Sequence, residues 1–264
     1  MSMRVLWVLS DEYFIGRTGE RFRIKAEDKE AEHPARRTYC LVLDGNGSIS
    51  SSALGLARRF GVPVVVVNGS DVSGFMWLTH GKPVEPILYQ LHAYLNVREY
   101  FSSLFLNALK ENYEKVLEVK LEGGLSEVRE KIIRAMEERW SQSSRVKVEY
   151  ARLLLSCVCW AALYRAGLDP NIGFLHDKLC FDLACEFEHK VVLRAAAIPN
   201  LEGAELRRAV AKSVDEALQE VIERGTLSPR PHSLLWHINA HAKSLASTLK
   251  SGLFSYKPFK EGSS

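Results

Sequence analysis

The sequence predicts an α+β protein: a β-rich N-terminal domain over residues 1–80, a linker at 81–88, and an all-helical domain over 89–264. Three observations predict this. The first 80 residues hold short β-prone runs separated by turn residues. From Pro86 onward the apolar residues recur at helical spacing. One later segment, "KVEYARLLLSCVCWAALYRAG", is apolar all round, which marks a central buried helix.

In chain order, "RVLWVL", "YFIGR" and "RFRIK" read as strands, and "YCLVLD" as another after a polar stretch. "GNGS" reads as a turn. "ISSSALGLARRFG" is a short helix that Ser50 or Ser51 can cap and Gly61 can end. "VPVVVVN" is a buried strand and "GFMWLT" one more. "DGNGSIS" lies between strand and helix, as a phosphate loop would, but has no Walker lysine or full GxGxxG spacing; a tight strand–helix turn suffices.

The helical part opens with "YQLHAYLNVREYFSSLFLNALKENYEKVLEV", one long amphipathic helix or two. "GLSEVREKIIRAMEERWSQ" follows, its apolar stripe formed by Leu125, Val128, Ile132, Ile133 and Met136. After the buried helix come "CFDLACEFEHKVVLRAAAI", "LEGAELRRAVAKSVDEALQEVIERG" and "SLLWHINAHAKSLASTLKSG". Gly167, Gly225 and Gly252 stand at helix ends.

The chain has 264 residues, 47% apolar and 25% charged, the profile of a globular protein. No apolar run reaches the length of a membrane span. The start, "MSMRVLWVLSDEY", lacks a signal-peptide layout, so a cytoplasmic location is expected. A net charge of +3 does not announce nucleic acid; any DNA surface must come from local patches. The last third supplies basic residues, with Arg207, Arg208, Arg230, Lys243 and Lys250 the candidate DNA contacts. Five cysteines with no CxxC pair indicate buried, reduced thiols. Only three glutamines hint at a hot habitat.

The candidate site lies in "GLDPNIGFLHDKLCFDLACEFEHK", residues 167–190. On a helix Asp182, Cys185 and Glu186 sit at i, i+3 and i+4 and share a face. His176 stands on a turn just before them. A histidine facing carboxylates suits a divalent cation. The plainer alternative is a capping aspartate, a solvated acidic face and a packed histidine. His237 and His241 have the i, i+4 spacing of a zinc pair but lack the HExxH pattern, so packing is the simpler account.

Several of these segments together resemble one known family. "LVLDGNGSISSSALGLARRFGVPVVVVN" precedes "VREYFSSLFLNALKENYEKVL", "AGLDPNIGFLH", "FDLACEF" and a terminal "HAKSLASTLKSGLFSYKPF". The order resembles the CRISPR adaptation integrase, the universal Cas endonuclease of spacer acquisition. The resemblance spans nearly the whole chain, with "GLDPNIGFLH" its most specific piece.

It implies a homodimer joined through the β domains, a small ferredoxin-like adaptation partner, and DNA as substrate: a protospacer or branched duplex and the CRISPR repeat. It implies that a 3′-hydroxyl attacks a phosphodiester with Mg²⁺ or Mn²⁺ stabilising the leaving oxygen. The family's ligands are a glutamate, a histidine and an acid on the following helix. His176 matches the histidine, and Asp182 opens the "D-L-x-acid" helix. The acid three residues later is Cys185. Aligning "IIRAMEERW" with the family's glutamate helix puts Ile132 at the glutamate. The loop after His176 is also shorter than the family's, and its arginine-proline is Glu188-His189.

Isoleucine offers a hard cation nothing, and cysteine is soft. Glu186 could supply the missing acid, giving His176, Asp182 and Glu186 as the catalytic and metal-binding set. Glu137 or Glu138 could supply the glutamate only after a shift of about 8–9 Å along the helix. Three readings follow: a CRISPR adaptation protein whose metal site is degraded and which binds DNA as a non-catalytic subunit; a working integrase with a displaced glutamate; or an unrelated helical nucleic-acid binder.

Overall fold

The N-terminal strands build one mixed six-stranded sheet of order β3-β2-β1-β4-β5-β6. Its members are β1 (Arg4–Thr18), β2 (Arg21–Ala26), β3 (Lys29–Pro34), β4 (Thr38–Ile49), β5 (Val64–Asn68) and β6 (Asp71–Phe75). β1, β4 and β5 run parallel at its centre, and the outer pairs are antiparallel. The computed structural model describes residues 3–27, 29–75, 84–140, 144–252 and 255–260. Most of "GFMWLT" and the start of the linker lie outside these.

Two sequence expectations for the sheet are corrected. "RVLWVL" and "YFIGR" are one strand, β1, whose pairing with β4 shifts register between Leu9 and Glu12. "GNGS" is no turn, because β4 runs through it and Gly47 pairs with Tyr13. A Cβ at Gly47 would stand 2.3 Å from the Tyr13 ring, so glycine here admits a close aromatic neighbour.

Parallel strands buried on both faces need apolar residues on both. Leu41, Leu43 and Val64 pack under α1 (Ser51–Phe60), which the Ser50 side chain caps by accepting from Ala53 N and left-handed Gly61 ends. Cys40, Val42 and Val65 point the other way, into a core continuous with the helices. Residues 39–43 of β4 and most of β5 are therefore covered within one chain, whereas Gly45, Asn46, Gly47 and Ser48 of β4 are exposed.

The helices are α2 (Glu85–Leu117), α3 (Leu125–Arg139), α4 (Arg145–Ala166), α5 (Leu179–Cys185), α6 (Glu188–Ala196), α7 (Gly203–Gln219) and α8 (Leu234–Ser251). A two-stranded pair, β7 (Val221–Ile222) and β8 (His232–Ser233), precedes α8. α2 begins inside the expected linker and kinks at Val97, which has non-helical backbone angles. α4 is the buried centre, as its composition requires. The expected helix over "CFDLACEFEHKVVLRAAAI" breaks at Glu186 and Phe187 into α5 and α6.

Polar contacts fix the sheet to the helices. Tyr150 donates to Asp44 at 2.6 Å, and Lys178 reaches Asp71 at 2.6 Å and the Val72 carbonyl at 2.8 Å. All five cysteines are buried and free, in keeping with their sequence pattern. Among the described residues no helix is long and apolar enough to cross a membrane.

Candidate functional site

The loop between α4 and α5 carries His176, and three elements hold it. Gln90 on α2 donates to the carbonyls of Asp169 (2.8 Å) and Ile172 (2.7 Å) and accepts from Asp169 N (2.8 Å). Arg98 donates to the Phe174 carbonyl at 2.9 Å. From α5, Asp182 accepts from the backbone amides of Phe174 (2.5 Å), Leu175 (3.1 Å) and His176 (2.7 Å). Gly173 is required by crowding: a Cβ there would lie 2.4 Å from the His176 carbonyl oxygen.

The structure brings His176 and Asp182 together. His176 Nδ1 lies 2.8 Å from Asp182 Oδ1. The carboxylate thus meets four donors, about its full lone-pair capacity. It orders the loop and orients the ring, and has no lone pair left for a metal.

The residue of α3 that reaches His176 is Arg129, one turn before Ile132. Its Nη2 lies 3.2 Å from His176 Nε2, 3.7 Å from Cys185 Sγ and 3.0 Å from Glu188 Oε1. Ile132 is fully buried in the core and faces no site. Arginine always donates. The bare nitrogen of His176 is therefore Nε2, which accepts from Arg129, and the Nδ1 hydrogen goes to Asp182. A metal-bound histidine holds the same state, one nitrogen on the metal and the other donating to a carboxylate. Here the guanidinium has the cation's seat.

Behind Arg129, Glu188 is fully buried and serves a second guanidinium: Arg152 Nε lies 3.2 Å from Glu188 Oε2, off hydrogen-bonding angle. Burial pushes the Glu188 carboxyl up, but Arg129 and Arg152 outweigh it and hold the group below the usual range. Burial and then Glu188 push the Cys185 thiol far up, so Cys185 stays a neutral, soft donor.

Glu186 does not join this group. Glu186, the C-cap of α5, meets the C-terminal segment instead. It accepts from the Tyr256 hydroxyl and from Phe259 N (2.8 Å), with His241 Nδ1 3.0 Å away. Its expected role as a substitute ligand is thereby removed. Glu137 and Glu138 are exposed on α3, away from His176.

The residues present therefore do not fit Mg²⁺ or Mn²⁺. The histidine lone pair is spent on Arg129, the Asp182 oxygens on the loop and the Glu188 oxygens on two arginines. Among the described residues no group of three or more His, Cys, Asp and Glu side chains is arranged to hold a metal. His237 and His241 lie buried in aromatic packing around Phe259.

Of the candidate DNA contacts, Arg207 pairs with Asp11 and Arg208 with Glu27, so both tie α7 to the N-terminal domain. Arg230, Lys243 and Lys250 stand exposed. Lys243 and Lys250 are seven residues apart and share one face of α8.

A signal for Arg129 was present in the sequence. Leu125, Arg129, Ile132 and Met136 follow the i, i+4, i+7, i+11 spacing of the α3 stripe, so this arginine enters the interior. Arg152, within the apolar run of α4, carried the same message.

Three solved structures share the fold. A casposase bound to integration product matches with a TM-score of 0.70 at 14% identity, over 97% of this chain and 93% of that one. A Cas1 protein from Thermotoga maritima matches at 0.71 and 16%, over 96% and 99%. A chain of a Cas6-RT-Cas1–Cas2 complex matches at 0.74 and 13%, over all of this chain and 36% of that one. No curated protein sequence matches. The sequence profile of the family described as CRISPR associated protein Cas1 matches residues 6–148, more than half of the chain. The strand-rich sheet, the helical region and the loop bearing His176 thus belong to a member of the Cas1 family.

Proposed function

We propose that the protein acts in CRISPR spacer acquisition as a DNA-binding component and performs no metal-dependent strand transfer at His176. Family membership supports the first half. The observation that carries the second is the Arg129 guanidinium held between His176, Cys185 and Glu188. A phosphoryl-transfer metal must neutralise and orient the reacting phosphate, and it needs carboxylate oxygens to stay in place.

The solved relatives support DNA and an adaptation partner as ligands: one is a casposase on its integration product, and another sits in a complex with Cas2. A homodimer and a small ferredoxin-like partner are part of this proposal.

The test is cleavage and strand transfer on branched DNA with Mn²⁺. The wild type is expected to be inactive, and the Arg129→Glu/Cys185→Asp double variant to gain Mn²⁺ binding, read as a rise in thermal midpoint with added Mn²⁺. Robust Mn²⁺-dependent wild-type activity that His176→Ala abolishes would overturn the proposal.

A further inference from the structure

We infer that Arg129, seated where the family's metal would be, binds a backbone phosphate of DNA directly, with no metal. This rests on the DNA-binding reading above and deepens it by naming the contact.

The acids around Arg129 are shared with other donors, which leaves room for an added anion. Glu188 is divided between Arg129 and Arg152, and Asp182 is spread over three amides and the His176 ring. Neither carboxylate is the private partner of Arg129. Access favours it as well. The Arg129 and His176 side chains are 15% and 18% exposed, whereas those of Glu188 and Asp182 are 0% exposed. The open side of the cluster is the cationic side.

Donor capacity points the same way. The two hydrogens on Arg129 Nη2 face three acceptors, and Nη1, itself buried, has no partner among the described residues. Two of those acceptors, an imidazole lone pair and a thiol, are neutral. Phosphate oxygens are charged, and a guanidinium prefers charged acceptors in a fork. Arg98, exposed on α2, donates to the Phe174 carbonyl two residues before His176 and brings a second guanidinium to the same loop. The competing account is that Arg129 does nothing but neutralise Glu188.

The experiment measures forked-duplex binding by fluorescence anisotropy in EDTA over a salt series, for wild type, Arg129→Gln and Arg129→Lys. Arg129→Gln is expected to bind about tenfold more weakly. Its slope of log affinity against log salt should fall by about one phosphate contact. Arg129→Lys keeps the charge beside Glu188 but loses the fork, so it should bind about fivefold more weakly at nearly wild-type slope and thermal midpoint. If Arg129→Gln does not fold, the lysine variant decides alone. Wild-type affinity in folded Arg129→Lys, or wild-type affinity and slope in folded Arg129→Gln, would overturn this inference and leave the DNA-binding reading intact. A wild type that binds no DNA would overturn both.

Discussion

Glu186 and Glu188 are two residues apart, both fully buried, and answered by opposite chemistries. Glu186 meets a tyrosine hydroxyl, a backbone amide and a histidine, and closes residues 255–260 over the helical core. Asn112 seals the same junction by donating to the carbonyls of Glu186 (2.9 Å) and Phe259 (3.2 Å). Glu188 meets two guanidiniums and looks out toward His176. One carboxylate makes a clasp, and the other underlies a charged site. Which partner a buried acid receives decides whether its charge ends in the fold or reaches the surface.

The first way to break the comparison is Glu188→Gln. Two buried guanidiniums then lose their only fully buried carboxylate, and removal of one partner from such a cluster costs about 3–5 kcal/mol. Urea denaturation reads this directly. An unchanged midpoint would mean that water or the Tyr113 hydroxyl satisfies the arginines. Glu186→Gln should cost less, about 1–3 kcal/mol, because its partners are mostly neutral. Its signature is local: residues 255–260 should become sensitive to limited proteolysis before the core unfolds. A tail still protected in this variant would show that Phe259 and Tyr256 hold it by packing alone.

The same contrast explains what the sequence disclosed. The capped ends of α1, the all-round apolar α4 and the His176–Asp182 loop follow from local rules, and all were legible. The partners of Glu186 were not, because Tyr256, Phe259 and His241 lie far along the chain. β4 through "GNG" was hidden because glycine signals a turn unless the tyrosine ring crossing it is known. Arg129 stands one turn before Ile132, and its place in the apolar stripe marks it as interior, but its partners, His176, Cys185 and Glu188, lie far along the chain. The ion pairs of Arg207 and Arg208 were hidden as well, as their acids, Asp11 and Glu27, lie far away in the chain.

Acid should reach the clasp before the site. Burial, with Lys190 and Lys115 adding to it, pushes His189 down to about 3; Glu188 opposes without prevailing. Burial, then His241 and His232, push His237 down to about 4. Both rings lie against Phe259, on the clasp side. Each is neutral when folded and titrates near 6.5 when unfolded. The unfolded chain therefore binds the extra protons below about pH 6.5, and stability falls with pH there by up to about 1.4 kcal/mol per unit for each histidine. The loss ends once the folded rings also protonate, near their depressed values. Glu188 behaves differently: its carboxyl is held below 4.5, so its contribution persists above that value and is lost as pH falls through its folded pKa. Denaturation curves from neutral pH downward should show one decline starting near pH 6.5 and a second below pH 4.5. His189→Gln should roughly halve the first, leaving the share of His237, and leave the second unchanged. A stability constant between about pH 7 and pH 5 would show that these histidines find proton acceptors in the fold, and the clasp would lose its claim to be the acid-sensitive half.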